Sequence, residues 1–266
     1  MGGCPGEGCQ PHRDLTVTPP ADQAPQTWEA PNPPSGLAIA AGAQFAALIA
    51  STVIAVAFLV DRGADGTGTA LKPGVAPVVL SLVPLWACLI GGVFIAGRLR
   101  NTPVRTLVGL GLRPTDPLYL VLGVVLQFAG ALLYLPFSVD SDRLERPARE
   151  LVGRAERLGP SFVVIAIALV VVAPAAEELF YRGLVVGSIR RVLDARSVAA
   201  APFLAVVLGA VWFAGVHFEW LQFPALLLVG LVCGAVATRC GRIAPSFFTH
   251  VGFNLVTVVE LGRRLR

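Results

Sequence analysis

The hydrophobic pattern of this chain is one of long apolar runs separated by short polar breaks. A bilayer core needs about 20 apolar residues per helix. Seven runs approach or exceed that length: Gly36–Val60, Val75–Gly97, Leu118–Phe137, a run from Ser161 through Glu177, Val198–His217, Phe223–Thr238 and Ile243–Glu260. The last two are close to the minimum. Pro84, Pro174 and Pro202 sit inside or at the start of these runs, where a proline removes a backbone donor and bends the helix. Residues 1–35 hold many Pro, Gly, Gln and Asp and no apolar period, which predicts a disordered tail with no secretory signal. The pattern predicts an all-α fold: a polytopic membrane helix bundle of about seven transmembrane helices over residues 36–266, behind that tail.

Composition sharpens the picture. Of the 266 residues, 55% are apolar and 14% charged. An ordinary soluble domain is about 45–50% apolar and about 25% charged. A single soluble globule could not hide this much apolar surface, so a soluble enzyme, a disordered regulator and a collagen-like fibre are excluded. The net charge of +4 is spread through loops and is no nucleic-acid footprint. Basic residues divide ten against ten between the two sides of a seven-span topology. The acids among the basic residues of Ser138–Gly159 tip the balance weakly towards a cytoplasmic N-terminal side. That connection alternates charge at a helical period and predicts a surface helix, while Thr106–Pro114 predicts a short interfacial one. Cys88 and Cys233 read as packing residues, and Cys240 falls at a helix boundary. Cys4, Cys9 and His12 form a C-x4-C-x2-H pattern, read as part of the tail rather than a metal site. No internal repeat is visible, which counts against a transporter built from two similar halves.

Ionisable residues inside the runs are the informative exceptions, since each costs about 2.5–3.5 kcal/mol at a helix centre. The fourth run carries Glu177, Glu178 and Arg182 in the string PAAEELFYRG. Glu178 and Arg182 are four apart and share a helix face, so they can pair. Glu177, about 100° further round, has no built-in counter-charge. It is placed to take a proton from water and return it to a leaving amine. His217 ends the fifth run. His250 and Asn254 lie four apart on one face of the seventh. An imidazole and a carboxamide together can donate to one oxyanion or can ligate a metal. Counting residues from the turns puts Glu177 and His217 at about one level. His250 lies only about nine residues past the turn at Gly241, roughly 13 Å. To meet Glu177 there, the hairpin of the fourth and fifth runs must project roughly 15 Å beyond the bilayer. Read separately, Glu178 with Arg182 could be a structural ion pair, His217 an interfacial histidine beside Trp220, and His250 with Asn254 interhelical glue. Glu219 reads as a solvated loop residue.

Three strings in order resemble the CPBP family of intramembrane proteases, also called the CAAX protease and bacteriocin-processing or Abi family. EExxxR is matched by Glu177, Glu178 and Arg182, FxxxH by Phe213 and His217, and HxxxN by His250 and Asn254. They span a protease core of about residues 161–260, and the first three runs match only in character. The resemblance implies an intramembrane endopeptidase in which Glu177 and His217 activate a water, His250 and Asn254 hold the oxyanion, and Glu178 and Arg182 brace the site. The family has been viewed both as zinc metalloproteases and as glutamate-dependent enzymes. If zinc is bound, Glu177, His217 and His250 would ligate it. The absence of an HExxH pair and the poor ligand quality of Asn favour the metal-free reading, with no cofactor.

The Arg-rich, Lys-poor composition suggests a bacterial cytoplasmic membrane, so the prenylated substrates of eukaryotic relatives are not carried over. The expected partners are a membrane-associated peptide or membrane-protein substrate, such as a bacteriocin precursor or anti-sigma factor, and the lipid bilayer, but no nucleic acid. Two other functions remain open from the residues: a non-catalytic scaffold or immunity protein on the same fold, and a proton-coupled transporter using the Glu/His cluster as a relay.

Overall fold

A computed structural model of the chain describes residues 33–63, 75–137 and 159–264. Cys4, Cys9, His12 and nearly all of the expected tail fall outside the described residues, as does the expected surface helix up to residue 158. Among the described residues every regular element is helical: α1 (Pro33–Gly63), α2 (Val75–Leu99), the single turn α3 (Val104–Leu107), α4 (Tyr119–Leu132), α5 (Pro160–Asp194), α6 (Ala201–Gly215), α7 (Phe223–Cys240) and α8 (Ala244–Arg264). Short 3₁₀ turns, Asp116–Leu118 and Leu135–Phe137, flank α4. The all-helical expectation holds. α1 already begins at Pro33, so the last three residues assigned to the tail are helical. The interfacial helix expected over Thr106–Pro114 is instead the one turn Val104–Leu107.

Among the described residues four helices are both long and apolar enough to cross a bilayer: those through Gly36–Ala57, Val79–Leu99, Pro160–Asp194 and Phe223–Cys240. Asp116–Leu132 and Ala201–Gly215 are apolar but shorter. α8 is long but carries Thr249, His250, Asn254 and Glu260. Four of the described helices thus meet both criteria, two more are apolar but shorter and α8 is long but more polar, which leaves the expected count of seven untested.

Helix faces follow the 3.6-residue period. On α1, Ala40, Gln44 and Ala47 face inward, while Phe45, Ile49, Val53 and Val56 are exposed. On α4, Leu126 is buried between Gly123 and Gly130, and Val121, Val125, Phe128 and Leu132 face out. An outer surface of this kind suits lipid. Lipid also removes most of the hydrophobic drive for helix association, so close packing through small residues has to supply it. The closest approach is between α4 and α8. A Cβ added at Gly252 would lie 2.2 Å from the Leu120 carbonyl oxygen, and one at Gly123 would lie 1.9 Å from that of Thr249. α1 meets α2 through Ala43 and Gly92, and α6 meets α7 through Ala210 and Gly230.

α5 is the central element. From Phe180 to Ile189 all its residues are buried, while Val163, Val164 and Ile167 in its first half are exposed. At 1.5 Å per residue its 35 residues are roughly 50 Å long, against a hydrocarbon core of about 30 Å. Pro202 sits in the first turn of α6, where its missing N–H costs nothing. α7 ends on Gly241 in the left-handed conformation (φ 63°), which turns the chain sharply into α8.

Candidate active site

α5 is not uniform: Ala168–Val172 and Glu178–Val186 are π-helical. The first widening has a local cause. The Ala173 N–H bonds the Ala168 carbonyl, an i to i+5 link. The next carbonyl, Leu169, would look to residue 174 for the same bond, and Pro174 has no N–H. Asn254 of α8 supplies the missing donor, its Nδ2 lying 2.8 Å from the Leu169 oxygen. Thus Asn254 does reach α5, but one amide hydrogen is already engaged with backbone.

The second widening carries the charges. Glu178 is fully buried and Arg182 is 1% exposed. Arg182 NH1 lies 3.2 Å from Glu178 Oε1, so the pairing expected from the i,i+4 spacing is present. Its guanidinium also lies over the Phe213 ring, 4.8 Å from the centroid. Taking a carboxylate out of water costs several kcal/mol, which only close pairing and hydrogen bonds offset. The second partner is His250, whose Nδ1 lies 2.9 Å from the same Glu178 oxygen. A carboxylate only accepts, so Nδ1 carries the hydrogen. The ring is thereby oriented with Nε2 towards Glu177, 3.8 Å from Oε2. Glu177 is less buried, its side chain 16% exposed. Two adjacent carboxylates therefore have different surroundings: Glu178 is held by two side chains, Arg182 and His250, and Glu177 opens on a cavity.

His217 ends α6. Its Nδ1 lies 2.7 Å from the Phe213 carbonyl oxygen one turn earlier. That oxygen also only accepts, so Nδ1 donates and Nε2 keeps a lone pair in the neutral ring. Phe213 is the hub: its ring contacts His217 at 4.7 Å, Tyr181 at 5.2 Å and His250 at 5.8 Å between centroids. Phe218, immediately after His217, adopts φ 55°, so the chain leaves the site in a conformation that costs a non-glycine residue energy. Glu219 is exposed, in keeping with a solvated loop residue.

A cavity of about 580 Å³ receives Glu177, His217, His250 and Asn254 together. Glu178 and Arg182 lie behind it. Two of its wall residues escaped the sequence reading. Gln44 of α1 lines the cavity, and the Tyr181 hydroxyl donates to its Oε1 at 2.7 Å. Gln127 of α4 lines it as well. Each is a carboxamide inside an apolar run, a signal available in the sequence but weaker than a charge.

Among the described residues no group of three or more His, Cys, Asp or Glu side chains is arranged to hold a metal ion. His250 Nδ1 is committed to Glu178 and His217 Nδ1 to a backbone carbonyl, which leaves Nε2 of each ring; a metal-bound histidine keeps the same kind of bond at its other nitrogen, so these bonds fit the zinc alternative as well as the metal-free one.

A second buried ion pair lies outside the cavity. Arg242, in the turn between α7 and α8, binds both oxygens of Asp116 at 2.7 and 3.0 Å and donates to the Gly111 carbonyl at 3.0 Å. Burial pushes the Asp116 carboxyl up, but the Arg242 bonds and the backbone N–H of Arg113 outweigh it and hold the group below the usual carboxylate range. The same bonds raise Arg242. This pair ties the entry of α4 to the entry of α8, the helix carrying His250.

Residues 159–256 match the family model described as Type II CAAX prenyl endopeptidase Rce1-like. The match supports a CPBP or CAAX-type protease family, and it includes all six charged, histidine and asparagine positions of the three strings. No curated protein and no solved structure matches the chain.

Proposed function

We propose, from that match and the geometry around Glu177, that this protein is an intramembrane endopeptidase cleaving a peptide bond of a membrane-associated protein or peptide. The observation that carries the reading is the His250 ring held between Glu178 and Glu177 at the wall of a cavity that also receives His217 and Asn254. A structural ion pair needs only Glu178 and Arg182. It does not need an imidazole steered by one carboxylate towards another.

In this mechanism Glu177, with His217 Nε2, takes a proton from a water whose oxygen attacks the peptide carbonyl carbon. The carbonyl oxygen becomes an oxyanion, and His250 Nε2, when protonated, donates to it along with the second amide hydrogen of Asn254. The tetrahedral centre then breaks its C–N bond, and the proton held by Glu177 goes to the departing amine. Glu178 is a positioning residue. It orients His250 through Nδ1 and offsets the imidazolium charge, while Arg182 pairs with Glu178 in an apolar setting. No step requires a metal, which makes the reading glutamate-dependent. The apolar outer surface places the protein in a membrane, and we assign it to the bacterial cytoplasmic membrane as a multi-pass protein.

Quantitative membrane proteomics comparing wild type with Glu177→Ala tests the function. The expected result is a small set of membrane proteins that accumulate uncleaved in the variant while the variant itself reaches wild-type levels. Identical peptide termini in the two strains, with both proteins equally abundant, would overturn it.

A further inference from the structure

The cavity poses a problem that the catalytic groups do not solve. A peptide presented for cleavage must be locally extended, so its N–H and C=O groups lose their helical partners. Inside an apolar environment each unpaired group costs several kcal/mol. The cavity walls are largely apolar, with Leu82, Leu85, Trp86 and Phe253 among them. Of the polar groups of α5 and α8, Glu178 is engaged with Arg182 and His250, and one amide hydrogen of Asn254 with the Leu169 carbonyl, while the groups that remain are assigned to the reacting carbonyl and water.

Besides Gln222 and Asn254, two carboxamides stand on the wall, contributed by α1 and α4. Gln127 lines the cavity, yet its Oε1 is buried with no hydrogen-bond partner. A buried orphan acceptor costs about 1–3 kcal/mol, so its retention calls for a partner that arrives later. Gln44 also lines the cavity, and its Oε1 is taken by the Tyr181 hydroxyl, which leaves the amide hydrogens of Gln44 as donors. Tyr181 is four residues from Glu177 on α5, which couples this wall to the reacting carboxylate. A carboxamide offers one acceptor and two donors, which complement the donor and acceptor of a peptide group. Rotation about Cγ–Cδ exchanges its two ends.

We propose that Gln127 and Gln44 bind the main chain of the substrate beside the scissile bond. Gln127 pairs with one peptide group and ends its own unsatisfied burial, and Gln44 donates to a carbonyl on the opposite side. The identity of the occupant as a peptide rests on the endopeptidase reading. Both residues lie outside the segment that matches the protease family, so the N-terminal helices supply substrate binding and the C-terminal ones the chemistry.

The test uses the full chain as Glu177→Ala in nanodiscs, where bound peptide stays intact. The probe is a fluorescent Leu/Ala transmembrane peptide of about 20 residues with a central Gly-Ser-Gly break. A companion set replaces each central amide in turn by an ester, removing one N–H. Anisotropy gives each Kd. One hydrogen bond is worth about 0.5–1.5 kcal/mol, so we expect Gln127→Leu to weaken binding of the amide peptide about five-fold. One ester peptide should bind the Gln127-containing protein more weakly by the same factor and be indifferent to Gln127→Leu. Gln44→Leu should weaken the amide peptide to a similar degree. Equal affinities throughout, additive effects of ester and Gln127→Leu, or no binding at all would overturn the proposal. The ester arm needs no altered wall, so a misfolded variant cannot mimic support. Cleavage of the same amide peptide by the protein with Glu177 intact reports separately on the endopeptidase reading.

Discussion

The Asn254–Leu169 bond allows a sharp test of how α5 is built. Asn254→Ala removes the side-chain donor that serves a carbonyl Pro174 cannot satisfy. Leaving that oxygen unpaired in an apolar interior costs about 1–3 kcal/mol. Pro174→Ala restores a backbone N–H at the i+5 position, so the orphan oxygen regains a partner within its own helix. In the Pro174→Ala background, Asn254→Ala should then cost little, with a coupling energy of about 1 kcal/mol or more between the two positions. The assay is reversible unfolding in mixed micelles by stepwise SDS addition, followed by Trp fluorescence, for wild type, both single variants and the double variant. Peptidase activity is a second readout, because Asn254→Ala also removes a proposed oxyanion donor and should stay impaired even where stability is rescued. Strictly additive stabilities would refute the reasoning, since Pro174 and Asn254 would then not serve the same carbonyl.

Three further outcomes are expected. Gly252→Ala drives a Cβ against the Leu120 carbonyl, backbone that cannot step aside, and should separate α4 from α8 at a cost of about 1–3 kcal/mol or more; thermal unfolding in detergent should show this, while Gly91→Ala, with nothing within 4 Å, should stay near wild type. Arg242→Met leaves Asp116 as an uncompensated buried carboxylate and should cost about 3–5 kcal/mol. Because Asp116 titrates lower when folded than its unfolded value of about 3.9, its contribution is complete above that pH and fades as pH falls through the folded value; a stability–pH curve should lose that acid limb in Asp116→Asn. Activity of purified protein should survive chelator treatment, and abolition reversed by added zinc would contradict the glutamate-dependent mechanism.

Residues four apart were legible in the chain, because a helix fixes their relation locally. Glu178 with Arg182, and His250 with Asn254 on a single face, need no knowledge of the fold. The apolar runs located the helices for the same reason, to within a few residues at each end. Hydropathy was least informative where polar residues thin a helix such as α8, since it cannot tell a lipid-facing position from one turned to a cavity.

What the local pattern could not decide was which neighbour each polar group chooses. His250 goes to Glu178, 72 residues away, and Arg242 to Asp116, 126 residues away. Such choices depend on helix rotation, on glycine contacts that set how closely α4 and α8 approach, and on which carbonyl a proline leaves unpaired. The chain by itself determined that carboxylates, imidazoles and carboxamides would enter an apolar environment. Only the packed bundle decided which of them pair off and which stay open to the cavity, because burial makes every unpaired polar group costly and long-range geometry alone determines the partners within reach.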